Sequence, residues 1–317
     1  MTRRGYVPLG VEQSPFVFAA HLPGVTAAAE GFAIGEIRIS KLTWAECRLL
    51  EKTRFMDDLQ DAFVYGREPL FIVFSGLPGD DDSQVNLIKN NAVVAIQRLT
   101  RALRLLKSGE VWDPLEFVLY MRRDLLKNTR DPRLFGRLAF ASRGDLFVNL
   151  SMEDIACLDG LYAALDLFDR FRYDVEIDRA EALLAASFSP AHINFVHRIL
   201  PLLGALEILA GRDLEPLAKA EWADDGLRRW IETYSSLRNT LAHGRSDDPN
   251  DLRDRLETTR TATRVLMREA IAWRLLEPGA PKVTGPPLLA RALAKEAADP
   301  RRLAELQAPY PSMRPAD

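Results

Sequence analysis

The hydrophobic and polar positions of the chain follow two rhythms. In the first third, short apolar or alternating runs stand beside glycine or proline: Phe16 to Ala19, Gly31 to Ile39 and Leu70 to Phe74. Runs of this length and period predict strands. Between them, Thr43-x-x-Glu46 has the form of a capping box and predicts a helix running to about Ala62. The turn-rich stretch Ser75 to Asp82 precedes a second predicted helix, from Ser83 to Lys107, with Gly109 just beyond it. Leu115 to Tyr120 reads as a further strand, and the segment from Arg122 to Leu146 carries mixed charge with little periodicity.

From Ser151 the rhythm becomes helical. Ser151 and Asp154 form another capping box, opening a helix to about Phe171. Ser189-Pro190 places an N-cap before a proline at the first helical position, and Gly211 sits where a C-terminal glycine belongs. Ile193, Val196, Leu200, Leu203, Leu206 and Ile208 are expected to face the core from that helix. Asp224 or Asp225 starts a helix that ends near Gly244, and Asp248-Pro249 starts a final long one to about Leu276. Three long helices with a shorter connecting one predict a helical bundle. From Pro278 onward stand eight of the nineteen prolines, so this tail is expected to be peripheral or poorly ordered. The pattern as a whole predicts a mainly α fold: an N-terminal α+β module over residues 1–145, an antiparallel helical bundle over 150–277, and a proline-rich tail over 278–317.

Composition narrows the class. At 317 residues and 47% hydrophobic, the chain can fill a real core. Two cysteines, Cys47 and Cys157, supply neither a disulfide framework nor a zinc pattern, which suits a reducing cytoplasm. The first residues lack the apolar stretch of a signal peptide. The longest apolar run, Ile199 to Ala210, is broken by Glu207 and is too short to span a bilayer. A cytoplasmic protein with no membrane partner is therefore expected. Net charge is −3, so the chain as a whole is no polybasic nucleic-acid binder. One local excess exists: from Arg98 to Arg143, eleven Lys/Arg stand against five Asp/Glu. Arg98, Arg101, Arg104 and Lys107 recur every three residues. They read either as a solvated helix face or as a surface that attracts a phosphate backbone and binds it salt-sensitively. The acidic run Asp80 to Asp82 has no second ligand cluster to complete a metal site and reads as a solvated loop with a helix N-cap.

Candidate chemistry concentrates in Ser236 to Gly244. Arg238 and His243 stand five positions apart, with Asn239 beside the arginine and Gly244 closing the run. Histidine can accept or donate a proton near neutrality. Arginine stays charged and can hold a phosphate oxygen through two hydrogen bonds. Of the four histidines (His21, His192, His197, His243), only His243 has an arginine at this spacing. The competing structural reading is a pair of cations at the negative end of a helix dipole. On a regular helix, residues five apart point about 140° apart, so a common target needs either a helix that ends at Gly244 or two motifs facing each other. His192 and His197 share the spacing but lack the arginine-amide context. They read as structural or surface residues, although His197-Arg198 would line the same cavity if the two helices pack together. Trp222, Trp230 and Trp273 read as core or interface anchors. There is no glycine-rich phosphate loop, HExxH pair or nucleophile elbow, so kinase-like, metalloprotease and serine-hydrolase chemistries find no support.

Arg238-Asn239-x-x-x-His243 with its following glycine resembles the R-x4-6-H signature of the HEPN superfamily. Upstream, Asp166 to Asp174 and His197 to Leu209, with Ala205-Leu206-Glu207, are similar to the helices preceding that signature in the Apea-like HEPN branch. The resemblance covers about residues 155–277. It implies a HEPN-type antiparallel helical bundle that dimerises so that two motifs form one site, and an endoribonuclease needing no metal or other cofactor. In that chemistry a ribose 2′-hydroxyl attacks the adjacent phosphate. His243 would transfer the proton, Arg238 would stabilise the charged transition state, and Asn239 would orient His243 or the phosphate. Glu207 would set the arginine or tune the histidine, a role compatible with a partly buried salt bridge to Arg238 or another arginine. Arg245 joins the basic stripe as an RNA-contact candidate; it stands where HEPN toxins paired with nucleotidyltransferases usually carry tyrosine, which departs from that subclass. Family context suggests antiphage defence, with RNA and a second copy of the chain as partners and the N-terminal module sensing, restraining or recruiting. The rival readings are a non-catalytic HEPN scaffold or nucleotide-binding dimerisation module, and an antitoxin-like partner protein. The intact Arg-Asn-x3-His favours the enzyme.

Overall fold

Buried isoleucines anchor a hairpin of the first sheet, and the chain reverses where glycine lets it. The computed structural model describes residues 16–22, 25–35, 37–40, 71–76, 82–107, 109, 111, 117–122, 125–130, 148–188, 195–242 and 249–305. They fall into two units, Met1–Thr100 with Glu110–Ile155, and Arg101–Gly109 with Ala156–Asp317. The fold is mainly helical, with a smaller β-containing N-terminal region before a C-terminal helical bundle.

The first unit holds β1 (Phe16–His21), β2 (Val25–Ala27), β3 (Gly31–Ile34), β4 (Ile37–Ser40), β5 (Phe71–Gly76), most of α1 (Asp82–Leu106), β6 (Phe117–Arg122), β7 (Leu125–Arg130) and β8 (Val148–Leu150). An antiparallel sheet runs in the order β1-β5-β4-β3, β6 pairs antiparallel with β7, and β2 pairs parallel with β8. The run Gly31 to Ile39, expected as one strand, is a hairpin. Its register from Gly31↔Ser40 to Ile34↔Ile37 leaves two residues for the turn. Gly35 takes φ 52°, the left-handed conformation that two-residue hairpins demand and glycine adopts without strain. Ile34, Ile37 and Ile39 are fully buried, and the step of three from Ile34 to Ile37 is where the alternation changes phase across the turn. β7 lies where the sequence showed little periodicity, because Leu125 and Leu126 are adjacent rather than alternating. The helix predicted over Thr43 to Ala62 lies outside the described residues.

The second unit contains the end of α1, then α2 (Met152–Phe171), which begins in the first unit, α3 (Val175–Ala186), α4 (Phe195–Ala210), a 3-10 turn (Glu215–Lys219), α5 (Asp225–Ala242) and α6 (Pro249–Leu276). After these come α7 (Pro286–Ala292), a second 3-10 turn (Lys295–Ala298) and α8 (Pro300–Glu305). Three of the predicted caps are in place, while Ser189-Pro190 and Asp248 lie outside the described residues. Asp154 N donates to Ser151 Oγ (3.1 Å) while Ser151 N donates to Asp154 Oδ2 (2.9 Å). Asp224 Oδ1 accepts from Leu227 N (2.7 Å), and Gly211 closes α4 at φ 84°. α3 went unpredicted. Its N-cap Asp174 accepts from Glu176 N and Ile177 N, but its buried stripe is only Ile177, Ala180 and Leu184. On α4 the core face is rotated from the one expected. Ile199, Leu202, Leu203, Leu206 and Leu209 are buried, whereas Leu200 is exposed and Val196 and Ile208 are half-buried.

α6 is the central helix, buried at every position from Ala262 to Ala272, and it carries charge inward. Arg260 is fully buried. It donates to Ser187 O (2.6 Å), Ser187 Oγ (3.3 Å) and Glu257 Oε1 (2.6 Å), and it stacks 4.1 Å from the Phe188 ring centroid. Arg198 Nε donates to the same carbonyl (2.8 Å). Ser187 caps the C-terminus of α3, so the two guanidiniums meet the negative end of that helix. Burial lowers Arg264 and Arg268 to about 10, which leaves both cationic at neutral pH.

The segment beyond Pro278 is not peripheral over its described length. Val283, Leu288, Leu289 and Leu303 are buried. Gly285 N donates to Leu209 O (2.6 Å), and buried Glu269 accepts from Arg291 Nε (3.0 Å) and Arg302 Nη1 (2.8 Å). A Cβ on Gly160 would stand 2.6 Å from Ala304 Cβ and 2.8 Å from Ala304 O. Gly160→Val is therefore expected to force α2 and α8 apart and cost about 1–3 kcal/mol. A denaturation midpoint equal to that of the wild type would contradict this packing.

Candidate functional site

α5 buries Leu227, Trp230, Tyr234 and Leu241, a stripe at spacings of three, four and seven. Trp230 and Tyr234 meet edge to face, with ring centroids 5.3 Å apart. Arg238 lies one turn beyond Tyr234, just ahead of the last turn of the helix, with Asn239 beside it and exposed. α5 is helical through Ala242, and His243, Gly244 and Arg245 lie outside the described residues. The arginine and amide of the motif thus stand at the end of α5, next to its connection to α6.

The structure does not bring Glu207 to that connection. α4 and α6 are level where Arg198 and Arg260 share the Ser187 carbonyl. They run in the same direction, since the chain leaving α6 meets the end of α4 at Gly285–Leu209. Glu207 lies nine residues past Arg198, about 13 Å toward the C-terminal ends of both helices. α5 hands the chain to Pro249, eleven residues before Arg260 and about 16 Å the other way. Half-buried Glu207 therefore sits toward the opposite end of the bundle. His197, in the first turn of α4 and exposed, is nearer in level to the motif, while Arg198 is held by Ser187. His192 lies outside the described residues.

The tryptophans are anchors, as expected. Trp230 is core, Trp222 Nε1 donates to Ala292 O (2.8 Å), and Trp273 Nε1 donates to Glu277 Oε2 (3.0 Å) beneath the Arg291 guanidinium.

The basic stripe does not form an exposed face. Arg98 and Arg104 are buried at 6% and 4% exposure, Arg101 is half-buried, and only Lys107 of the four is exposed. Helix geometry explains part of this, because each step of three residues rotates about 60° and Arg98 and Lys107 end on opposite sides. Partners explain the rest. Arg104 stacks 4.9 Å from the Phe188 centroid. Arg101 Nη1 donates to both oxygens of Asp169 (2.9 and 2.8 Å), and its Nε and Nη2 bind Glu181. Burial opposes the charge on Arg101, but Glu181 and then Asp169 override it and raise its pKa. Arg101→Ala would strand both carboxylates. It is expected to cost on the order of 3 kcal/mol in a denaturant titration, the low end for a buried pair because the site is partly exposed. A loss below ~1 kcal/mol would contradict an anchoring role.

What sequence reasoning passed over is the arginine row Arg260, Arg264 and Arg268 on α6. Its signal is the four-residue spacing, which keeps like residues on one helical face. Among the described residues, no group of three His, Cys, Asp or Glu is placed to hold a metal ion, and no helix is long and apolar enough to cross a membrane. No family model matches the chain, and no curated protein or solved structure proved similar to it.

Proposed function

We propose that the chain is a metal-independent endoribonuclease whose chemistry resides in Arg238 and His243, at the end of α5. One observation supports the reading: α5 is helical through Ala242, so Arg238 and Asn239 of the Arg-Asn-x3-His run stand within its last five residues. Arg238 stands just ahead of the last turn of α5, and a helix C-terminus would favour the cationic form of His243, which follows it in sequence. In the proposed reaction the ribose 2′-oxygen attacks phosphorus, and the bond from phosphorus to the 5′-oxygen breaks. One His243 takes the 2′-proton, and a second, from another copy of the chain, protonates the departing 5′-oxygen. Arg238 holds the phosphate oxygens as charge builds on them. Exposed Asn239 orients the phosphate.

This reading needs a homodimer. Leu241 is spent within the fold at 2% exposure, so it cannot supply the apolar contact that a motif-facing dimer requires. A dimer mass at micromolar concentration is expected, and a monomer whose activity is linear in protein would count against two-chain chemistry. The activity itself is tested by incubating purified protein with total RNA in EDTA and mapping the ends. Fragments carrying 2′,3′-cyclic phosphate and 5′-hydroxyl termini are expected. RNA left intact across a range of protein concentrations would return the chain to the rival reading, a non-catalytic dimerisation module.

A further inference from the structure

We draw no further inference here: the strongest candidate, the exposed apolar tip formed by Phe171, Tyr173 and Val175 at the turn between α2 and α3 with Leu276 at the end of α6, has nothing in the structure to show what covers it.

Discussion

A chain ending at Glu277 is expected to lose the folded helical unit. The deletion removes Val283, Leu288, Leu289 and Leu303, each at 4% exposure or less. Burying one such side chain contributes about 1.5–3 kcal/mol. Four together are comparable with the whole stability of an ordinary domain, roughly 5–15 kcal/mol. The deletion also strips buried Glu269 of Arg291 and Arg302, and Arg268 of its bond to Ala298 O. An uncompensated buried charge is costly in itself. Circular dichroism of the truncated chain should show a lost or strongly lowered cooperative transition for the helices. A chain ending at Glu277 that melts cooperatively at the full-length temperature would contradict this account. The same reasoning disfavours excising residues 150–277 alone. That fragment also lacks Arg101 and Arg104, which belong to the helical unit through Asp169, Glu181 and Phe188.

What was legible in the sequence was local. Ser151, Asp224, Gly211 and Pro249 mark helix ends because caps act on backbone groups a few residues away. What was illegible depended on partners remote in sequence. Arg101 reads as a surface cation until Asp169 and Glu181, 68 and 80 residues on, are placed around it. α4 is apolar enough to offer more than one stripe, and only its packing on α3 and α6 selects Ile199 and Leu202 over Val196 and Leu200. The prolines after Pro278 suggested a loose tail, yet the leucines between them are what the core takes up. Of the candidate site, the Arg238-Asn239 turn was legible because it is one helix end. The proposed link to Glu207 was not, because it depends on which way two helices run.

The proposed chemistry makes a second large prediction, that His243→Ala and Arg238→Ala each abolish RNA cleavage. Removing the proton-transfer group or the charge that meets the phosphate takes away stabilisation present only in the transition state. General acid–base catalysis alone is worth about 10²–10⁴-fold. Neither change is expected to unfold the protein. Matched melting curves for the variants and the wild type confirm that folding is not the cause of any loss. Cleavage of a single-stranded RNA in EDTA by these three proteins, with folding verified in parallel, tests the central claim most directly. The account predicts cyclic-phosphate products from the wild type and at least a 10²-fold loss in each folded variant. Cleavage by both variants at the wild-type rate would contradict it.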